Sequence, residues 1–302
     1  MKKNVLVIYY SQTGQLKDIA DNLCLPLVDS GNYDIDYYAI KPVEDYSFPW
    51  KSKDFYNAFP ESFRQIPTPI HNPEDEIMNK EYDLVILAYQ IWFLTPSIPF
   101  TSFMKSPFAE KLLKGKKVIT VVGCRNMWAK AQEKVKGFIK NVGGVLVGQI
   151  ALVDKHLNHV SVVTIAHWMM GGKKDKKYGI FPLPGVSDSD IKNSSKFGEL
   201  ILEAANKDNY HDLQNNIIDN GGTPCTPFII FMDETANKMF TKWSNFILKS
   251  NSNRALKVTF FKIYLLTAIW IISPIVYILF LMAYPLRINK TKKKRLYYTG
   301  VV

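Results

Sequence analysis

The chain has 302 residues, 47% of them hydrophobic and 22% charged, the proportions of an ordinary folded globular protein. Its formal net charge of +11 is unevenly placed: from Lys249 onward there are ten Lys and Arg and no acid, leaving 28 bases against 27 acids in the first 248 positions. A nucleic-acid reader carries basic side chains on its folded surface; here they flank an apolar run, which argues against that class and points to anionic lipid headgroups.

Residues 4–10 form a short, nearly continuous apolar run, the pattern of a strand buried on both faces. Ser11-Gln-Thr-Gly14 breaks it, and Gln15–Leu25 follows as an amphipathic helix with Leu16, Ile19, Ala20 and Leu23 on one face. Tyr33–Ile40 is the second strand. Residues 45–73 read as irregular, dense in proline and aromatics, either the wall of an apolar pocket or a packed surface loop. Tyr82–Tyr89 is the third strand and Lys117–Val122 the fourth, followed by a helix over Ala129–Asn141. Val145–Val153 completes five. Strands alternating with helices at this spacing predict an α/β fold of βαβ units with a parallel sheet. Lys155–Val186 breaks the spacing as an insertion. A helix resumes at Asp188, capped by Ser187, and runs to about Ala205; another covers roughly Asp233–Leu248. Ile263–Leu286 then carries no formal charge for about 24 residues, long enough to cross a bilayer by length alone.

Cys24, Cys124 and Cys225 lack C-x-x-C spacing and fit a reducing compartment. The first apolar run is too short for a secretory signal, so the body is expected on the cytoplasmic face of the inner membrane.

Three loops at strand ends carry the chemistry. The first is Ser11, Gln12, Thr13, Gly14, Gln15 and Leu16, where a strand opens into a helix through hydroxyls and a glycine. Such a loop aims backbone N–H groups and the helix dipole at an anion. It lacks the lysine of a Walker loop and the further glycines of a dinucleotide fingerprint. It resembles the phosphate loop of flavodoxins, which implies FMN, although Leu16 stands where that family carries a hydroxyl. An ordinary β-α turn is the alternative. The second loop, Gln90, Ile91, Trp92 and Phe93, resembles the segment beside the isoalloxazine in flavodoxin-like quinone reductases; otherwise Trp92 is a core tryptophan. The third, Gly123, Cys124, Arg125, Asn126 and Trp128, lies at the carboxyl edge where open α/β sheets bind ligands. The flavodoxin likeness implies a doubly wound five-stranded sheet of order 2-1-3-4-5.

The first loop, His167-Trp-Met-Met-Gly, Gly179-Ile-Phe-Pro-Leu-Pro-Gly185 and the apolar tail together resemble the bacterial dialkylresorcinol condensing enzyme family. That resemblance implies an FMN-dependent aromatase, removing two hydrogens from a dialkylcyclohexane-1,3-dione to give a dialkylresorcinol. It also implies a lipid-like dione substrate, and a ketosynthase and an acyl-carrier protein as pathway partners. The enolate of such a dione needs a base and a cation. His156, His159 and His167 are candidates for the first, Lys155 and Arg125 for the second; each histidine has a structural role as its alternative. No metal ligand set is expected. Competing readings are a membrane-tethered flavodoxin-like NAD(P)H:quinone reductase or electron carrier, and a scaffold without cofactor.

The expected organisation is a flavodoxin-like FMN domain over 1–206 with an insertion at 155–186, a helical extension over 207–257, and a membrane anchor with a basic tail over 258–302. Basic residues on both flanks of the apolar segment, and Ser273-Pro274 near its middle, favour a hairpin or interfacial anchor over a single span. A buried soluble helix is the third option.

Overall fold

A computed structural model describes residues 2–250 and 252–301. The first half alternates strands and helices: β1 (Lys3–Tyr9), α1 (Gln15–Asp29), β2 (Tyr33–Ala39), α2 (Ser52–Asn57), α3 (Phe59–Phe63), α4 (Asp75–Asn79), β3 (Leu84–Trp92), β4 (Thr95–Pro96), α5 (Ile98–Met104), α6 (Pro107–Leu113), β5 (Lys117–Cys124), α7 (Ala129–Asn141) and β6 (Val145–Val153). Helices follow: α8 (Asn158–Gly171), α9 (Asp188–Lys192), α10 (Ser195–Asn206), α11 (Leu213–Asp219) and α12 (Pro227–Leu248). The last stretch is α13 (Arg254–Thr267), a π-helical turn (Ala268–Ile272), α14 (Ser273–Ala283), a 3-10 turn (Tyr284–Arg287) and α15 (Ile288–Thr299).

The five long strands are all parallel, in the order β2-β1-β3-β5-β6. In chain order that is 2-1-3-4-5, the flavodoxin-like arrangement, as expected from the sequence. β1 shows how a continuous apolar run makes a central strand. Val5 and Val7 point to one side, into a core built with α1, α10 and α11, while Leu6 and Ile8 point to the other, toward α5, α6 and α7. On α1, Leu16, Ile19, Ala20, Leu23, Cys24 and Leu27 are buried at helical spacing, the larger ones each worth roughly 2 kcal/mol. α10 reaches α1 through Gly198, where a Cβ would stand 2.1 Å from the Leu23 carbonyl oxygen. Any side chain there would push the two helices apart.

Several boundaries differ from the sequence reading. β3 runs past Tyr89 to Trp92 because Ile91 and Trp92 pair antiparallel with Pro96 and Thr95. The stretch 45–73 contains α2 and α3. The helix expected from Asp188 is broken at Asn193–Ser194 into α9 and α10, with Ser187 capping α9 through Asp190 N at 3.1 Å. α12 begins at Pro227, six residues before Asp233, with Thr226 Oγ1 accepting from Ile229 N. A hydroxyl cap followed by proline at the first helical position is a start signal.

The C-terminal stretch is helical over Arg254–Thr299, apolar and long enough to cross a membrane, and is interrupted at Tyr284–Arg287, where Arg287 leaves helical backbone angles (φ −115°, ψ 1°). The dip-and-return hairpin at Ser273-Pro274 is not formed: Ile272 and Ser273 keep helical backbone angles. The helix passes the proline by widening first into a π turn, which relieves the clash of the ring with the preceding turn. Tyr298 at its far end packs into the core beside the sheet, so the last residues return to the body.

Candidate functional site

The loops after β1, β3 and β5 meet at the carboxyl edge of the sheet, where the direction of strand order reverses between β1 and β3. A cleft there is lined by Gln12, Thr13, Gln15 and Leu16 from the first loop, Gln90–Phe93 from the second and Gly123–Arg125 from the third. Ten of the cofactor residues named from the sequence therefore converge. The remaining wall comes from Ile19, Phe48, Phe55, Ile165, Trp168, Met169 and Gly185.

The first loop is built for a positive φ. Gly14 has φ 84° and caps α1 with no side-chain hydrogen bond, so the first N–H groups of the helix have no side-chain acceptor. Ser11 Oγ is buried with no partner. Gln12 holds the loop's outer side, donating to the carbonyls of Tyr46 and Ser47 and accepting from Trp50 Nε1 at 3.0 Å. Gln15 faces the other way, donating to Val186 O and accepting from Val186 N, both at 3.0 Å. Leu16 is buried against the sheet, so no side-chain oxygen is supplied at that position.

The second loop is strained. Phe93 and Leu94 have φ of 51° and 64°, as in a tight two-residue hairpin that ordinarily takes Asn-Gly. The packing of Phe93 on Phe55 and Phe59, with ring centroids 4.7 and 5.3 Å away, holds the turn in place. Trp92 is 7% exposed, packed against Tyr46, Trp50 and Tyr10, and still reaches the cleft. Gln90 Nε2 is buried without a partner.

A second cavity of about 290 Å³ adjoins the first, sharing Phe55, Ile91, Phe93, Cys124, Arg125, Ile165 and Met169 as a common wall. Its other sides come from Tyr56, Leu94, Asn126, Met127, Phe240 of α12 and residues of α8 and α13. Among the described residues Arg125 is the only charged group lining either cavity. Its Nη1 donates to Asn158 Oδ1 at 2.6 Å and Ser161 Oγ at 3.3 Å, and burial pulls its pKa from 12.5 down to about 10. Asn126 Nδ2 donates to the same Asn158 Oδ1, while its own Oδ1 is buried without a partner. Burial pushes the Cys124 thiol well above its ordinary pKa, so it is no nucleophile at neutral pH.

The other named residues lie elsewhere. Trp128 is 1% exposed, in the core with its Nε1 donating to Pro224 O. Lys155 is exposed and paired with Asp190. His156 is exposed. His167 Nε2 pairs with Asp175 at 2.7 Å. His159 Nε2 lies 3.0 Å from Ile269 O, with its ring on Trp270. None of the three histidines lines either cavity. Sequence reasoning missed Ile165, Met169 and the α13 residues; Phe55 comes from the aromatic-rich stretch 45–73, the one of these with a local signal in the sequence.

FMN fits what is present. A helix start without a side-chain cap and the neutral donors of the first loop suit a phosphate, and the unpaired buried Ser11 hydroxyl, Gln90 Nε2 donor and Asn126 Oδ1 acceptor supply the mixed donors and acceptors that a flavin mononucleotide requires. No protein-family model matches the chain, and no curated protein matches it by sequence. Among solved structures it is similar to a flavoprotein from Lactobacillus acidophilus in complex with FMN, at 16% identity and a TM-score of 0.38, covering 49% of this chain and 93% of that one. It is also similar to a flavodoxin from the domain Archaea (13%, 0.38, 67% and 99%) and to oxidised flavodoxin 1 from Bacillus cereus (15%, 0.35, 65% and 95%). At such identities and scores these likenesses carry no functional argument, and the fold rests on the strand order.

Proposed function

We propose that this chain is a membrane-associated FMN-dependent oxidoreductase that reduces a quinone-like carbonyl compound bearing an apolar chain, with a nicotinamide as the electron source. The observation that carries the reading is the pair of joined cavities. One is walled by the loop between β1 and α1 and the other by apolar side chains, with Arg125 in the wall between them. FMN, when bound, supplies hydride and single-electron chemistry; the chain supplies the rest. Ser11, Thr13 and the first N–H groups of α1 would hold its phosphate, and Gln90 and Asn126 its ring edge. Arg125 would polarise the substrate's carbonyl oxygen, and the apolar walls would exclude water.

Aromatisation of a dialkylcyclohexanedione is the second reading. Arg125 suits an enolate, but the reaction also needs a base, and neither cavity is lined by a carboxylate or a histidine. A free electron carrier is disfavoured because α8 and α13 wall the outer cavity.

The test is a visible spectrum of the full chain purified in mild detergent and reconstituted with FMN. Anaerobic reduction by NADPH and reoxidation by an alkylquinone would follow. Reduction by the dione without NADPH would instead favour aromatisation. A protein that retains no flavin refutes both.

A further inference from the structure

The apolar stretch looks like a span, yet both of its ends are fastened to one body. On the near side, Arg254 Nη2 pairs with Glu61 at 2.7 Å and its Nε donates to Asn57 Oδ1 at 2.9 Å. On the far side, Lys294 pairs with Glu234, and Gln149 and Gln214 donate to the Tyr298 and Thr299 carbonyls, both at 2.6 Å. A helix crossing a bilayer would place its flanks on opposite sides of a hydrocarbon layer about 30 Å thick, and the folded body cannot occupy both. α12 also runs antiparallel along the stretch: Trp243 meets Tyr264, and Phe228 meets Tyr277 and Phe280. It carries Asp233, Glu234, Lys238 and Lys242, which keeps this layer out of lipid tails.

The outer face is nonetheless apolar from end to end. Phe260, Ile263, Ile271, Ile275, Ile278 and Met282 are between 51% and 75% exposed, at spacings that keep them close to one face of the helix. That stripe is about 33 Å long at 1.5 Å per residue. Exposed Arg287, Lys290, Lys292 and Lys293 follow it. A like-charged second copy would repel that end; an anionic headgroup layer matches it.

The same helix walls the second cavity with Leu265, Leu266 and Ile269, facing Val162, Ile165 and Ala166 of α8. Leu266 is 38% exposed, so it lies at the rim between cavity and apolar face. His159 holds this rim. In a π turn the carbonyl of Ile269 would bond five residues on, to Pro274, which has no N–H; His159 Nε2 donates to it instead.

We infer that α13–α14 lies along, not across, one leaflet of an anionic bilayer, and that an apolar-chained ligand enters the cavity beside it directly from the lipid. The seating stands independently of cofactor; the assignment of the ligand rests on the flavin reading.

The seating is tested by flotation of the full chain with phosphatidylcholine vesicles, with and without phosphatidylglycerol. Binding should be stronger with the anionic lipid, and Ile271→Glu/Ile278→Glu should weaken it on the order of a hundredfold without changing circular dichroism. Depth is read from the fluorescence difference between wild type and Trp270→Phe in brominated lipids. In-plane seating gives strongest quenching of Trp270 by bromines near the headgroups. Strongest quenching by bromines at the chain ends, flotation unchanged by the glutamates, or a stable dimer that does not float would overturn the seating. Ligand access is tested by calorimetry with a long-chain alkylbenzoquinone and its chainless parent. Ala166→Phe, narrowing the rim, should weaken the first about tenfold or more and the second clearly less; equal effects on both would overturn access through lipid. Flavin content, measured on the same samples, reports separately on the cofactor.

Discussion

Replacing Arg125 by methionine should make this protein more stable and less able to bind its ligand. Arg125 is half-buried and has no carboxylate in ion-pair contact among the described residues; burial lowers its pKa from 12.5 to about 10. At about 1.36 kcal/mol per unit, that displacement is roughly 3 kcal/mol against the charged form. Part of the side chain faces the cavities, where solvent screens it, so about 1–2 kcal/mol is the gain expected on removal. Little is lost in return. Asn158 Oδ1 keeps its bond from Asn126 Nδ2 at 3.0 Å, and Asn158 O keeps the Ser161 hydroxyl at 2.9 Å, so no acceptor is orphaned. The sign with pH follows from the lowered folded value: the penalty is present wherever Arg125 is charged in the fold and is relieved only as pH rises past about 10. Between about pH 6 and 9 the stabilisation should therefore be constant. The assay is chemical denaturation of both proteins in mild detergent, followed by near-ultraviolet circular dichroism, with ligand affinity measured in parallel. A variant less stable than wild type would refute the reasoning and make Arg125 a structural tie between β5 and α8.

Gly14→Val has no neighbour to strike, since a Cβ there meets no atom within 4 Å. The positive φ is the obstacle, at about 1–2 kcal/mol for a residue with a side chain, so the loop should relax and flavin content fall while the melting temperature changes little. Asp233 is 1% exposed and accepts from Lys130 N at 3.0 Å, and burial raises its pKa to about 7. Its contribution is fullest below the unfolded value near 4 and is lost as pH rises through about 7. Asp233→Asn should thus gain on the order of 3 kcal/mol over wild type across that window, and parallel pH–stability curves would contradict it. His156→Gln and His167→Gln should change turnover by less than about twofold, whereas loss of a general base costs roughly a hundredfold or more. His159→Phe, leaving the Ile269 carbonyl unpaired, should cost about 1–3 kcal/mol of stability.

The sheet was legible because its signals are local. A strand buried on both faces needs an unbroken apolar run, and five such runs at βαβ spacing admit few arrangements. The loops were legible for the same reason: each sits directly after a run. The residues that close the site were not. Ile165 and Leu265 reach it from α8 and α13, and nothing in their own neighbourhoods encodes that meeting. The histidines misled because residue type was the only information available. Their partners, Asp175 and the Ile269 carbonyl, were visible only in three dimensions. Pro274 misled for a related reason: a lost N–H predicts a bend, unless a side chain from another helix takes the freed carbonyl.

The C-terminal stretch is better understood as part of the body than as an appendage fastened to it. Tyr298 belongs to the main core, and Gln149 on β6 and Gln214 on α11 direct their amides to the last turn of α15. At the other end, Phe261 stacks on Phe59, centroids 3.6 Å apart and planes at 8°, joining α13 to the aromatic segment that also walls the cleft. Cutting the chain before α13 would therefore remove one side of the second cavity, uncover Phe59 and leave the buried Gln149 amide without its acceptor. The helix that offers an apolar face to lipid is the same helix that supplies Leu265, Leu266 and Ile269 to the cavity. Membrane seating and site geometry are thus properties of one element, and a perturbation that lifts the helix from the surface must also open the cavity wall.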